Sequence, residues 1–206
     1  MKTIMDYFVT GIDTDSGKTL VSAIFCEALD ADYWKPVQAG APGDSDTVRA
    51  LISNPKIHIH KEAFFLKTPA SPHAAAKLDG ISIKLSDFKR PTSDRTLIIE
   101  GAGGCLVPLN DNDFVIDLAA HFNAGVILVA DLYLGSINHT LLTWRELSSR
   151  KLNVKGIVFN GRSNPESERI ILHHTKLPCL LRIEQEKKID KHIVKKYSAL
   201  LKSAWS

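Results

Sequence analysis

The sequence lacks the features that would place the protein in a membrane, in a disulfide-bonded framework or on a nucleic acid. Its three cysteines, Cys26, Cys105 and Cys179, are scattered and odd in number, so they indicate neither a disulfide framework nor a metal site. The longest clean apolar run, Val126 to Ala130, is far too short to cross a bilayer, and no signal-peptide pattern precedes the first apolar run. The net charge of +3, from 26 basic and 23 acidic residues, is too balanced for a nucleic-acid or membrane surface. We therefore expect a cytoplasmic protein with neither kind of partner.

What the sequence does contain is a regular alternation of predicted strands and helices. At 206 residues and 44% hydrophobic, the chain can bury a sizeable core, and we expect a single domain spanning residues 1–206. Apolar runs without polar alternation are typical of strands buried on both faces of a parallel sheet. These runs lie at Tyr7–Thr10, Leu97–Ile99, Val126–Val129 and Gly156–Phe159, and a shorter strand is predicted over Tyr33–Val37. The predicted fold class is α/β, a mostly parallel sheet covered by helices on both faces.

Three segments have the spacing or the capping residues of helices. Leu20 to Leu29 places apolar residues on one stripe, and Ser71-Pro72 supplies an N-cap serine followed by proline at the first helical position. In the tail, Ile189, Ile193, Tyr197 and Leu200/Leu201 recur at helical spacing, with lysines on the other face. A solvated outer helix explains that basic face better than a membrane or a partner does.

The first predicted strand leads into a glycine-bounded loop that ends in Gly17-Lys18-Thr19, where a helical pattern begins. A strand, such a loop and a helix N-terminus together present backbone N–H groups and a positive dipole end to phosphates. Lys18 is suited to the outer phosphates, and the Thr19 hydroxyl to a Mg²⁺ ion. Five residues, rather than the usual four, separate Gly11 from Gly17. The sequence therefore predicts a fold like that of the P-loop nucleotide-binding proteins.

A phosphoryl-transfer site also needs carboxylates for Mg²⁺. Glu100 is the first candidate, because it closes a buried strand and precedes a glycine-rich segment, and ligands gather beyond the carboxyl ends of parallel strands. Asp131, after another buried run, is a rival. Asp46 is a further candidate, although local sequence favours at least equally an N-cap role for the helix containing Val48 and Leu51.

Lys35 ends a short predicted strand and precedes Pro36, so we expect it at the same edge of the sheet as the phosphate loop. A lysine in that place can stabilise negative charge during phosphoryl transfer. A simple solubilising role is the alternative, and the pattern alone favours it.

Five motifs in order resemble those of the dethiobiotin synthetase family. They are Gly11–Thr19, Trp34-Lys35-Pro36-Val37-Gln38, Ser71-Pro72-His73, Glu100-Gly101-Ala102-Gly103-Gly104 and Leu134-Gly135-Ser136-Ile137-Asn138-His139. Each match alone is weak, but the five in order are highly specific, and the spacing inside the phosphate loop is the family's usual form. The resemblance extends from the first strand to Asn160.

The resemblance implies an ATP-dependent cyclo-ligase that joins 7,8-diaminopelargonate and carbon dioxide into dethiobiotin, releasing ADP and phosphate. One amine captures carbon dioxide as a carbamate, ATP phosphorylates the carbamate, and the second amine closes the ring. Mg²⁺ is the implied cofactor, and a homodimer with shared active sites is the implied assembly.

The resemblance also assigns roles to individual residues. It implies catalytic roles for Lys18, Lys35 and Thr14, and Mg²⁺ ligation by Thr19, Asp46 and Glu100. Substrate contacts are implied for Ala39 and, across the dimer, for Gly135, Ser136 and Asn138. The implied nucleotide-binding residues are Asp15, Ser16, Gly17, Lys18, Thr19, Leu20, Asp46, Glu100, Gly101, Ala102, Gly103, Asn160 and Gly161, with Asn160 recognising adenine.

Three positions depart from the family pattern. Ala39 stands where a hydroxyl residue is common, which puts one substrate hydrogen bond in question, and Asp15 stands where a longer glutamate is common. Leu180–Glu184 matches only part of a Gly-x-Ile-Pro segment near the nucleotide base.

A switch or partitioning-type ATPase acting on a macromolecular partner is the competing interpretation, since it shares this general fold. Those ATPases typically have a second lysine at the start of the phosphate loop, where this loop has none besides Lys18. A guanine-specific switch needs an Asn/Thr-Lys-x-Asp motif, and Lys187-Lys188-Ile189-Asp190 lacks its first residue.

Overall fold

The computed structural model describes residues 5–205, which fold as a parallel sheet between two layers of helices. The strands are β1 Tyr7–Gly11, β2 Asp32–Trp34, β3 Val37–Ala39, β4 Ile59–His60, β5 Phe64–Leu66, β6 Leu97–Gly104, β7 Gly125–Asp131, β8 Val154–Asn160 and β9 Cys179–Ile183. The helices are α1 Lys18–Leu29, α2 Asp44–Leu51, α3 Pro72–Asp79, α4 Asp117–His121, α5 Ser136–Ser149, α6 Pro165–Thr175 and α7 Lys191–Ala204. Within this described range, no helix is both long and apolar enough to span a membrane.

Seven strands form the main sheet in the order β4-β2-β6-β1-β7-β8-β9, and every neighbouring pair is parallel. Successive residues of β1, β6, β7 and β8 enter two different apolar clusters, as expected for pleated strands that are covered on both faces. Ile98, for example, packs with α1, α2 and α7, whereas Leu97 and Ile99 pack on the opposite face with α4, α5 and α6. The predicted α/β class, with a parallel sheet covered on both faces, is confirmed.

The predicted strand over Tyr33–Val37 is wrong, because the structure divides it between two sheets. β2 ends at Trp34 in the main sheet, and β3 begins at Val37 and pairs in parallel with β5 in a separate two-stranded sheet. Pro36 lacks an N–H group and cannot continue a ladder of hydrogen bonds. Lys35 therefore lies at the break, directly beyond the carboxyl end of β2.

Two helix starts also differ from the sequence patterns. The N-cap of α2 is Gly43, and Asp46 lies inside the first turn, so the N-cap alternative for Asp46 is wrong. In the tail, α7 begins after Asp190, whose side chain accepts hydrogen bonds from the N–H groups of His192 and Ile193. Ile189 precedes this helix and is exposed. At α3, Ser71 and Pro72 occupy the expected N-cap and first helical positions.

Because the strands are parallel, their carboxyl ends meet at one edge of the sheet. Gly11, Asp131 and Asn160 are the last residues of β1, β7 and β8, and Lys35 follows the end of β2. β6 runs on past Glu100 into its glycines at the same edge. This edge therefore gathers most of the functional residues expected from the sequence.

Candidate active site

The phosphate loop connects β1 to α1 and is held compact by its own hydrogen bonds. Ser16 is fully buried; its hydroxyl donates to the Asp13 carbonyl and accepts from the Asp13 N–H. Gly11 leaves room for this serine, because a Cβ at Gly11 would lie 2.2 Å from the Ser16 Oγ. Gly17 caps α1 with a φ of 94°, a left-handed conformation that glycine adopts without strain.

Lys18 is the first residue of α1, and its ammonium group turns back onto the loop. Its Nζ donates to the carbonyl oxygens of Asp13 at 2.9 Å and Thr14 at 2.7 Å. Burial lowers the pKa of Lys18 to about 8, although the charge of Glu100 acts in the opposite direction. Both hydrogen-bond acceptors of this ammonium are neutral carbonyls, and no carboxylate is paired with it within residues 5–205. Its positive charge is therefore available to an anion that binds at the loop.

Lys35 is buried against two carboxylates. Its Nζ donates to Glu100 Oε1 at 3.1 Å, to the Asp44 carboxylate and to the Gly101 carbonyl. Burial by itself would lower the pKa of Lys35, but the negative charges of Glu100 and Asp44 overcome burial and raise it. Lys35 therefore stays an ammonium cation at the strand ends, and its side chain is not a solvated surface charge.

Glu100 connects Lys35 to Thr19 at the start of α1. We refer to Lys35, Asp44 and Glu100 as the Lys35 cluster. Glu100 is 1% exposed, and its Oε1 accepts a second hydrogen bond from the Thr19 hydroxyl at 2.9 Å. Its other oxygen, Oε2, accepts from the Tyr33 hydroxyl at 2.9 Å. Burial, with the charge of Glu100 adding to it, raises the pKa of Tyr33 well above its ordinary value, so the phenol remains a donor.

The two other acidic candidates have different surroundings. Asp46 is largely exposed and pairs with Arg49 three residues on, outside the Lys35 cluster. Asp131 ends β7 opposite Asn160, and its Oδ1 is buried with no hydrogen-bond partner among the described residues. Burial, then the nearby Asp13, raises the pKa of Asp131. Asp44, which the sequence did not single out, is instead the second carboxylate on Lys35.

Asn160 closes the site on the β8 side. Its amide nitrogen donates to the Ser16 carbonyl at 2.9 Å and lies against Gly17, where a Cβ would come within 2.3 Å of it. Gly161 follows with a φ of 99° and donates its N–H to Ile183 at the end of β9. The phosphate loop, Asn160 and β9 are thus directly connected.

A cavity of about 440 Å³ lies beside the phosphate loop and is lined by Thr14, Cys105, His139 and Glu146 among others. A second, of about 410 Å³, has Lys35, Asp44, Ala39 and Thr14 in its wall. Thr14, which is exposed, lines both cavities. The structure therefore places the catalytic candidates Lys35 and Thr14 and the substrate candidate Ala39 around one cavity.

The second cavity extends beyond these candidates over largely apolar residues. Val37, Pro72 and Val107 line it together with Ala102 and Gly103. Gly103 has a φ of 66°. This lining is suited to an aliphatic chain that ends near the Lys35 ammonium.

The start of α5 forms a separate surface. Gly135 and Asn138 are exposed, whereas Ser136 is buried and its Oγ has no hydrogen-bond partner among residues 5–205. Gly135 and Ser136 line a cavity of about 340 Å³ that shares no lining residue with the Lys35 cavity. The Leu134 side chain beside them is fully exposed. Within one chain, this segment and the Lys35 cluster are therefore not parts of the same pocket.

The remaining nucleotide candidates lie around the loop and the end of β6. Asp15 is exposed on the loop, Leu20 is half-buried on α1, and Gly101 is buried against Phe8 with its carbonyl on Lys35. A strand, a compact glycine loop, a helix N-terminus and strand-end charges define the class of P-loop nucleotide-binding proteins.

Solved structures support that class. The chain is similar to a ParA family ATPase from Chlorobium tepidum, with a TM-score of 0.58 at 14% identity over 98% of this chain and 94% of the other. It is also similar to the septum site-determining protein MinD from Pyrococcus horikoshii, with a TM-score of 0.53 at 13% identity over 97% and 89%. At such identities, the likeness shows the fold alone.

Sequence relatives identify the family. A family model described as an AAA domain matches residues 5–192. The chain is 58% identical to the ATP-dependent dethiobiotin synthetase BioD of Cytophaga hutchinsonii, over 97% of this chain and 98% of the relative. It is 48% identical to the protein of the same name from Christiangramia forsetii, over 93% of each. The chain belongs to the dethiobiotin synthetase family.

Proposed function

We propose that this protein is an ATP-dependent cyclo-ligase of biotin biosynthesis, which converts 7,8-diaminopelargonate, carbon dioxide and ATP to dethiobiotin, ADP and phosphate. The observation that carries the proposal is the 58% identity to a dethiobiotin synthetase over nearly the full length of both chains. The buried cluster of Lys18, Lys35 and Glu100 beside a partly apolar cavity is consistent with phosphoryl transfer to a small acceptor. A switch-type ATPase is less well supported, because its resemblance extends only to the fold.

In this proposal the loop and Lys18 hold the phosphates of ATP. The backbone N–H groups at the start of α1 face the phosphates, and Lys18 exchanges its two carbonyl partners for phosphate oxygens. Asp15, Leu20, and Gly101 to Gly103 contact the nucleotide around the loop. Asn160 lies next to Gly17, and Gly161 is hydrogen-bonded to the end of β9; in this proposal both contact the base.

The oxygen atoms of Thr19 and Glu100 fit a Mg²⁺ ion. They lie 2.9 Å apart at the start of α1, and hydroxyl and carboxylate oxygens are ligands that Mg²⁺ prefers. Among residues 5–205 no group of three or more His, Cys, Asp or Glu side chains could hold a metal. Mg²⁺ bound to one or two protein ligands and to phosphate oxygens agrees with that, and Asp46 joins only if it leaves Arg49. When bound, Mg²⁺ neutralises charge on the phosphates.

Lys35 lowers the electrostatic barrier to phosphoryl transfer in this proposal. Phosphorylation of a carbamate brings two anions together, and a buried cation at the strand ends stabilises the transferred group without reorganising water. Thr14 lines the same cavity, and in this proposal it contacts the reacting groups. In ring closure the second amine forms a C–N bond to the carbamate carbon while the C–O bond to phosphate breaks. Holding both amines in one cavity makes that step effectively unimolecular.

We further propose that two chains share their active sites. Gly135, Ser136 and Asn138 lie apart from the Lys35 cavity within one chain, and a second copy would bring them to it. The α5 N-terminus, where the Ser136 hydroxyl has no hydrogen-bond partner in the described part of the chain, suits the carboxylate end of the substrate. Ala39 provides no hydroxyl, so we expect only van der Waals contact from it. The free cysteines agree with a reducing cytoplasm.

Substrate dependence of phosphate release tests the proposed function. With Mg-ATP, release should require both the diamine and bicarbonate, because the carbamate must exist before it is phosphorylated. Release that is indifferent to both compounds but stimulated by DNA or a protein would favour the switch-type ATPase.

We predict unequal effects of the three acidic residues on Mg²⁺ dependence. Glu100→Gln should weaken Mg²⁺ dependence most, because loss of an outer-shell partner alone commonly costs about 10–100-fold in metal affinity and Glu100 is the proposed ligand itself. Asp46→Asn should weaken it as well, and Asp131→Asn less. Titrating Mg²⁺ at fixed nucleotide checks this order. A change confined to Asp131→Asn would mean that the ligand assignment is wrong.

For the shared site, we predict complementation between two inactive variants. Lys18→Ala and a Gly135–His139 loop variant should regain part of the activity when mixed, because a hybrid dimer keeps one intact composite site. Subunit exchange is followed with differently tagged chains. Exchange without any gain in activity would argue against sites shared between chains.

A further inference from the structure

The two oxygens of the buried Glu100 carboxylate have separate partners. Oε1 faces the Thr19 hydroxyl at 2.9 Å and the Lys35 ammonium at 3.1 Å. Oε2 faces only the Tyr33 hydroxyl, at 2.9 Å, among the contacts of the described chain. The Tyr33 side chain is fully buried, and its hydroxyl makes this one hydrogen bond within residues 5–205. No sequence motif pointed to Tyr33.

The sheet places Tyr33 on the correct face for this contact. Tyr33 in β2 pairs with Ile98 in β6, and both belong to the apolar cluster under α1. Glu100 lies two residues after Ile98 and therefore points to the same face. The phenol is long enough to reach this diagonal neighbour.

Tyr33 is also fixed in position by its backbone. β2 lies between β4 and β6 in the sheet, and the Tyr33 N–H donates to the His58 carbonyl at 2.9 Å. A side chain that is packed on all sides and anchored through its backbone presents its hydroxyl in one direction. Glu100, by contrast, has more rotatable bonds in its side chain, and the last torsion, which turns the carboxylate, is broad.

We propose that Tyr33 is a positioning residue whose hydroxyl holds Oε2 of Glu100, so that Oε1 stays beside Thr19 and Lys35, where it would be available to a Mg²⁺ ion. This inference rests on the proposed role of Glu100 as a Mg²⁺ ligand. Without the phenol, the carboxylate can rotate and accept the Lys35 ammonium through both oxygens, which removes the oriented ligand from Thr19. Tyr33 thus acts through Glu100 and touches neither nucleotide nor substrate.

Tyr33→Phe is the variant that tests this role, because it removes one hydroxyl and keeps the buried ring. Outer-shell hydrogen bonds to metal ligands typically change affinity by about 10–100-fold, so we expect Mg²⁺ to bind about tenfold more weakly in the presence of ADP. Binding of metal-free ADP should stay within about twofold of the parent protein, a difference of less than 0.5 kcal/mol. Calorimetric titration with Mg²⁺, and with ADP in chelator, measures both quantities without any turnover.

Tyr197→Phe is the matched control. Tyr197 is also a buried tyrosine whose hydroxyl donates to a carboxylate, that of Glu186, at 2.7 Å and outside the active site. This variant should lower the thermal midpoint and leave Mg²⁺ affinity unchanged. If both variants lower the midpoint alike, a difference in Mg²⁺ affinity reports on Glu100 and not on general destabilisation.

A double variant tests whether Tyr33 acts through Glu100. In a Glu100→Gln background, Tyr33→Phe should change Mg²⁺ affinity by less than about twofold, since residues in one network are not additive. A full tenfold loss in that background would overturn the proposal, as would unchanged Mg²⁺ affinity in Tyr33→Phe alone. Equal weakening of ADP with and without Mg²⁺ would show a merely structural role. These titrations use only Mg²⁺ and ADP, so their outcome is independent of whether the protein makes dethiobiotin.

Discussion

Lys18→Ala should abolish ATP turnover and leave the fold intact. Among residues 5–205, the Lys18 ammonium donates only to the carbonyl oxygens of Asp13 and Thr14. Both are exposed loop residues, whose carbonyls can be hydrated once the ammonium is gone. ATP, in contrast, loses a charge-assisted contact at the loop, and such contacts contribute roughly 1.5–3 kcal/mol each. We expect undetectable steady-state turnover and nucleotide affinity lower by at least about tenfold.

Lys202→Ala is the control for Lys18→Ala, because Lys202 is an exposed lysine near the end of α7. It should match the parent protein in turnover and in ADP binding. Circular dichroism and thermal unfolding establish that both variants are folded. A folded Lys18→Ala protein with near-normal affinity and turnover would remove the phosphate-loop assignment.

Lys35→Gln should slow the chemical step while largely sparing nucleotide binding. Lys35 is held by Glu100 and Asp44 at the strand ends, in the wall of the cavity that also contains Thr14 and Ala39. Loss of one preorganised cation typically costs about 10²–10³ in rate, which corresponds to about 2.7–4 kcal/mol of barrier. We therefore expect at least a hundredfold slower phosphoryl transfer in a single turnover.

The comparison of the two lysine variants separates their roles. Lys18→Ala should reduce ADP affinity, whereas Lys35→Gln should change it by no more than a few fold. Part of any stability loss in Lys35→Gln comes from the two carboxylates left facing each other, so unfolding must be measured alongside the rate. Single-turnover transfer at the parent rate would show that Lys35 has no part in the reaction.

The sequence predicts the fold correctly where a segment carries one strong pattern, such as a long apolar run or the phosphate-loop motif. The long apolar runs at Leu97–Ile99 and Val126–Val129 predicted buried parallel strands, and Gly17-Lys18-Thr19 predicted the start of α1. The shortest strands, such as β4 at Ile59–His60, carry too few residues to show a period. The break at Pro36 was readable in principle, because proline cannot donate to a ladder.

The candidate site was accessible only in part, because its pairings join residues far apart in the chain. Glu100 and Lys35 were singled out from their places at strand ends, but their direct pairing depends on β2 lying beside β6. No local feature of the sequence distinguishes Asp44 from Asp46. Both lie in the first turn of α2, but Asp44 contacts Lys35 whereas Asp46 contacts Arg49. In the sequence, Tyr33 looks like an ordinary core residue. Its contact with Glu100 arises because β2 pairs Tyr33 with Ile98, two residues before Glu100 on β6.

The most direct test of the central claim is the product formed from labelled bicarbonate. Purified protein with Mg-ATP, 7,8-diaminopelargonate and labelled bicarbonate should yield labelled dethiobiotin, with one ADP and one phosphate for each ring closed. Omission of the diamine or the bicarbonate should stop product formation. ATP hydrolysis without any labelled ring product, and unaffected by either compound, would contradict the proposed reaction.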